Sequence, residues 1–184
     1  MIYRGKDIKL PKPIELARQG SEGKDWYEEA HDSVTQYAKD RGLSVKRVAD
    51  ILAITSPRVS VKRNVGLTVQ YLERGSYEGM MIGRIRALQK YERTGEFSGP
   101  KVTQFSKALQ GDYSAVVVDS WMIMAFGFDN TKKASMRTHK HISKVVRNHS
   151  TLLGWEPAET QAAMWVAIRR LCGFTSQSRL LMPT

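Results

Sequence analysis

Gly99-Pro100-Lys101-Val102 and, further along, Val116-Val117-Val118-Asp119 are the two runs on which the reading of this chain turns. Residues 101–109 predict a helix with Val102, Phe105 and Leu109 on its buried side. Pro100 suits the first turn of that helix, where its missing N–H has no intrahelical partner to lose. Gln110-Gly111-Asp112-Tyr113 turns the chain. The run 114–118 is short and β-branched, and with no second strand pattern to pair with it is expected to be extended but outside a sheet. The helix carries the chain away by ~13 Å at 1.5 Å per residue. The extended run returns it by ~16 Å. The two nearly cancel, which predicts Asp119 at the level of Lys101, an amine and a carboxylate at the mouths of two helices. Unpaired N–H groups and the helix dipole make such mouths favourable to phosphates. They disfavour a second cation, and so favour the neutral amine that a nucleophilic lysine needs.

Outward from these runs the pattern is helical. Residues 1–20, with Pro11, Pro13 and Gly20, read as irregular. Trp26, Ala30, Val34, Tyr37 and Ala38 share one face of a helix that Gly42 ends. Ser44 is the N-cap expected for the next, whose inner face is Val45, Val48, Ile51 and Leu52 and which Pro57 stops. A basic helix starts near Val59 and runs to Gly75, and another covers 79–93. The loop 94–100 is rich in turn formers. Asp119 caps a helix over 120–126, and a longer helix covers 132–153. The last follows Pro157, with Ala158, Gln161, Ala162, Trp165, Ile168 and Cys172 on one face; 174–184 is unpatterned. The result is an all-α protein of about eight helices with short connections.

The 184 residues include 29 Lys and Arg against 18 Asp and Glu, a net charge of +11, and are 41% hydrophobic. That is enough apolar material for a core, which excludes wholesale disorder. No apolar run approaches the ~20 residues that span a bilayer, and Met1-Ile2-Tyr3-Arg4 opens no secretory signal. Cys172 is the only cysteine, which excludes an internal disulfide, an all-cysteine zinc site and an iron–sulfur cluster within the chain. A reducing, cytoplasmic setting is expected. The charge favours a polyanionic partner, most simply nucleic acid. A membrane surface would want basic residues massed on one face of a helix, whereas Lys and Arg are spread through most segments.

The region 88–124 resembles the helix-hairpin-helix core of the HhH-GPD DNA glycosylase superfamily, in which a helix, a Gly-rich hairpin and a second helix opening with Gly-x-Lys precede a Val-Asp element. Asp119 follows Lys101 by 18 positions, similar to the endonuclease III and 8-oxoguanine glycosylase types. Upstream, Ile51-Leu52-Ala53-Ile54-Thr55-Ser56-Pro57-Arg58-Val59-Ser60-Val61 resembles the helix and turn that face the flipped-out base. The hairpin here reads Phe97-Ser98-Gly99, and Asp119-Ser120-Trp121 stands where the family has Asp-Thr-His.

The resemblance implies two helical lobes, approximately 24–58 with 131–184 and 59–130, and a cleft between them. It implies a bifunctional glycosylase and AP lyase on double-stranded DNA, acting as a monomer on a damaged, oxidised base. Lys101 would attack C1′ and hold the sugar as a Schiff base, and Asp119 would stabilise the developing positive charge. Ser98, Gly99 and Val102 would meet a DNA phosphate. No catalytic cofactor or metal is implied, only room for a structural monovalent cation at the hairpin. Base extraction from the duplex is required, since C1′ is unreachable in the stack.

Around that centre, Arg58, Lys62 and Arg63 are candidates for phosphate contact, against the alternative of a solvated helix face. Thr55, Ser56, Trp121 and Gln161 are candidates for the base pocket. A core tryptophan and an interhelical hydrogen bond are the competing readings of the last two. Lys107, Lys132, Lys133, Lys140 and Lys144 read as solvated charge. Two further functions stay open: a non-enzymatic DNA-binding protein on the same scaffold, and a relative acting on another modified nucleotide.

Overall fold

The computed structural model describes residues 2–3, 6–131, 134–174 and 179–183. Two short strands, β1 (Ile2–Tyr3) and β2 (Lys6–Asp7), pair antiparallel. The α-helices among the described residues are α1 (Pro13–Gln19), α2 (Trp26–Asp40), α3 (Val45–Thr55), α4 (Val61–Arg74), α5 (Ile82–Thr94), α6 (Pro100–Leu109), α7 (Ser120–Ala125), α8 (Met136–Leu153) and α9 (Pro157–Leu171). The protein is all-α, as its periodicity predicts. The run 115–118 is buried and joins no strand among the described residues.

The chain forms two compact units, Met1–Tyr27 with Tyr113–Gln177, and Glu28–Asp112 with Ser178–Thr184. The division differs from the expected lobes, because α3 packs on α4, α5 and α6 and so joins the middle of the chain, not the C-terminal helices.

In the first unit α9 is the central element, packed by α1, α7 and α8. Its buried residues, Ala158, Thr160–Met164 and Val166–Ile168, go most of the way round the helix, as expected of a core helix. Many are alanine, which lets neighbours come close. A Cβ on Gly20, at the end of α1, would stand 2.0 Å from the Ala163 carbonyl oxygen, so only glycine fits there. Leu16, Val118, Met122, Ile142, Val146, Met164 and Ile168 fill the core. Here the expectation of an irregular 1–20 is corrected: Pro13 opens α1 at its first turn instead of breaking it. The helix expected from 132 begins at Met136 behind the N-cap Ser135; Lys132 and Lys133 lie outside the described residues.

In the second unit α3 is the buried element, with every residue from Val48 to Thr55 inside. Ser44 caps it as expected, its Oγ accepting from Arg47 N at 3.2 Å. Ile51 and Ile54 meet Tyr71 of α4 and Leu88 and Tyr91 of α5. The tail, read as unpatterned, is partly anchored here: Leu180 is buried, and Met182 N–H donates to Ser33 Oγ at 2.7 Å.

Candidate functional site

In the second unit α5 and α6 are joined by a five-residue turn. The Gly95 N–H donates to Tyr91 O at 2.7 Å with Gly95 in the left-handed region, which closes α5. Phe97 folds back on the Tyr91 ring, centroids 5.8 Å apart. Gly99, at φ 113 and ψ 129, takes a backbone conformation that L side chains rarely adopt. Pro100 follows in the first turn of α6, as expected. Ser98 and Gly99 are exposed, and Val102 is half-buried against the α3–α5 core.

Lys101, half-buried in that first turn, donates from Nζ to Ser56 Oγ at 3.1 Å, and lies 6.0 Å from the Phe105 ring centroid. The Ser56 hydroxyl donates its own proton to Ala53 O at 2.9 Å. With that proton committed, Ser56 faces the lysine as an acceptor. The sequence places Ser56 at the base pocket; the structure places it beneath the amine.

The turn after Ser56 is held from below by a residue that no motif marks. Arg84 of α5 is 6% exposed and donates to Pro57 O, and its Nε has no hydrogen-bond partner. Burial, then the neighbouring Arg63 charge, pushes its guanidinium below the ordinary arginine range. Arg58, in the same turn, is exposed and adopts φ 59, unusual for a side-chain-bearing residue. Lys62 and Arg63 are exposed in the first turn of α4, where the helix dipole disfavours cations. Arg63 Nη2 reaches Gly79 O at 3.5 Å.

Thr55 does not meet the expectation of a base contact. It is fully buried, with its Oγ1 2.8 Å from Ile51 O, 2.7 Å from Asn64 Oδ1 and 2.9 Å from Thr68 Oγ1. Asn64 in turn donates to Leu52 O at 3.0 Å. This polar knot joins α3 to α4 inside the core, away from any solute.

Asp119 lies in the first unit and caps α7. Its Oδ1 accepts from Trp121 N and Met122 N, each at 3.0 Å, and its Oδ2 accepts from Trp165 Nε1 at 3.0 Å. The Arg169 guanidinium stacks 4.2 Å from the Trp165 ring centroid and 5.5 Å from that of Phe174. Burial lowers its pKa, and the Asp119 charge opposes the shift. Trp121 is half-buried, edge-on to Phe174 at 5.2 Å. Gln161 is 2% exposed and accepts the Tyr27 hydroxyl at 2.7 Å, an internal hydrogen bond in place of the expected base edge. Burial first, and Asp119 second, push the Tyr27 phenol well up.

Among the described residues, no group of three or more His, Cys, Asp or Glu is placed to hold a metal ion, and no helix is long and apolar enough to cross a membrane. The site therefore defines an all-α protein whose second unit presents a helix–turn–helix with a half-buried lysine at its mouth. A family model described as a family of unknown function, DUF7178, matches residues 16–171, and the chain belongs to that family. No curated protein and no solved structure matches the chain.

Proposed function

We propose that this protein is a DNA glycosylase of the HhH-GPD type with lysine-dependent lyase activity. One observation supports the reading above the others: Lys101 stands in the first turn of α6, directly after a glycine-closed turn, with its amine fixed on Ser56 at 3.1 Å. A lysine serving only as solvated charge has no need of such an anchor. The two-lobed layout with a nucleotide cleft, which the resemblance implies, is part of this proposal.

In this scheme the lone pair of Lys101 Nζ forms a bond to C1′ of an everted nucleotide. The C1′–N bond breaks, and the base departs with the electron pair and takes up a proton. The sugar opens to an iminium on Nζ. Loss of a C2′ proton then expels the 3′ phosphate, and water hydrolyses the Schiff base. Asp119, with three N–H groups on its two oxygens, is rigid and acts as a fixed negative charge. Lys62, Arg63 and the exposed backbone at Ser98 and Gly99 would hold phosphates.

Borohydride trapping tests the reading on duplexes carrying an abasic site, an oxidised pyrimidine or 8-oxoguanine. The expected result is a covalent adduct that Lys101→Gln abolishes. Tight duplex binding with neither adduct nor base release would overturn it in favour of a non-enzymatic DNA-binding protein.

A further inference from the structure

We infer that α8 is a second nucleic-acid surface, one that grips the phosphate backbone of double-stranded DNA. The helix has 18 residues, Met136–Leu153, with four Lys or Arg and no Asp or Glu. It thus supplies four of the eleven net positive charges of the chain. Arg137, Lys140, Lys144 and Arg147 are all exposed. At 100° per residue these four fall, with His141, Asn148 and Thr151, inside an arc of about 120°. The stripe is ~15 Å long from Arg137 to Arg147 at 1.5 Å per residue. Duplex DNA offers one phosphate charge per ~1.7 Å of its axis, so several phosphates face a stripe of that length.

None of the four cations makes an ion pair among the described residues; Arg147 alone is tied down, donating to Ser114 O. An array of like charges at i, i+3 and i+7 without counter-ions costs the isolated helix stability. That cost is recovered when a polyanion arrives and its counter-ions are released. At one end Phe128, 41% exposed, stands edge-on to the exposed His141, centroids 6.1 Å apart.

A lipid surface fits less well. The apolar face of α8 is already used, because Ile142 and Val146 are fully buried in the core of the first unit. The exposed apolar residues of the helix, Met136 and Leu152, sit near its two ends, ~24 Å apart. No continuous apolar strip is left to enter a bilayer.

The inference shares a DNA partner with the proposed function but requires no chemistry at Lys101. Its test is binding of the full chain to an undamaged fluorescein-labelled duplex, followed by anisotropy across a salt series. Arg137→Glu, Lys140→Glu and Lys144→Glu together should weaken binding at least ~10-fold and make the salt slope shallower by ~2 to 3. The matching triple Gln variant should give a smaller loss of the same sign, and it serves if charge reversal disturbs folding. Unchanged affinity and slope in both variants would overturn the inference. So would wild-type binding to phosphatidylserine vesicles without binding to the duplex. Borohydride adducts are scored separately. No adduct together with α8-dependent binding sinks the lyase reading and supports this one, and an adduct unaffected by the triple variants, with unchanged binding, does the reverse.

Discussion

Tyr91 donates its hydroxyl to Asp50 Oδ2 at 2.8 Å, on a carboxylate that is only 1% exposed. The same carboxylate receives Lys46 Nζ at 2.5 Å and the hydroxyl of Ser106. One buried acid in the middle of α3 therefore fastens both helices that flank the turn 95–99, α5 through Tyr91 and α6 through Ser106. Burial, reinforced by the Asp50 hydrogen bond and charge, pushes the Tyr91 phenol far above its ordinary value.

Asp50→Ala leaves two hydroxyls without their acceptor and is expected to destabilise the protein by about 3 kcal/mol. The Lys46 side chain is 63% exposed and contributes little of that, since water screens it. Asp50→Asn keeps one acceptor oxygen and should cost less. Urea unfolding at pH 7 measures both. An Asp50→Ala midpoint equal to wild type would show that the acid does not hold the turn in place.

Three helix starts were legible from a cap or a first-turn proline, whereas the caps Ser60 and Ser135 were passed over and the helices behind them were expected two to four residues early. Ser44 begins α3 and Asp119 begins α7, and Pro100 opens α6 in its first turn. The α1 helix was hidden because Pro11 and Pro13 look like breakers, and only the packing of α1 against α9 shows Pro13 to be a first-turn residue. The site was legible in part. Lys101 stands out in the sequence, but its anchor Ser56 lies 45 positions away and carries no signal of that pairing. Thr55 shows the converse: a threonine beside a turn has the same sequence appearance whether its hydroxyl faces a ligand or, as here, Asn64 and Thr68 inside the core. Arg84 reads as one more charge on a polar helix, and only the tertiary path to Pro57 O reveals it as buried.

Asp119 caps α7, and the proposed reaction gives its charge a second duty; two variants divide them. Asp119→Asn retains an oxygen for the Trp121 and Met122 amides but loses both the charge and the acceptor for Trp165 Nε1. Trp165→Phe loses that same Trp165 bond and leaves the charge in place. Each should cost about 1 kcal/mol of stability in thermal or urea unfolding. Borohydride adduct formation should fall at least ~100-fold in Asp119→Asn and by far less in Trp165→Phe, if a fixed negative charge is what the reaction uses. Equal adduct rates in the two would reduce Asp119 to a cap.

A pH dependence follows from Glu92, which joins α5 to α3 and α4. It accepts Arg47 Nη2 at 2.9 Å and the Tyr71 hydroxyl at 3.0 Å. Burial pushes its carboxyl up, but the hydrogen bonds from Arg47 and Tyr71 and the Arg47 charge outweigh that and hold it below the ordinary glutamate range. A carboxylate whose pKa is lower folded than unfolded adds stability above its unfolded value of about 4.3 and loses it as pH falls through the folded value. The Glu92 side chain is 35% exposed, so the gain at pH 7 is small, below about 1 kcal/mol after screening. Glu92→Gln should therefore be slightly less stable than wild type at pH 7, with the gap closing as pH falls from about 5 toward 3. Urea unfolding of the pair at four pH values and low salt measures it. A gap that stays constant with pH would mean that Glu92 stabilises only by packing and neutral hydrogen bonding, and that the Arg47 contact contributes no charge–charge energy.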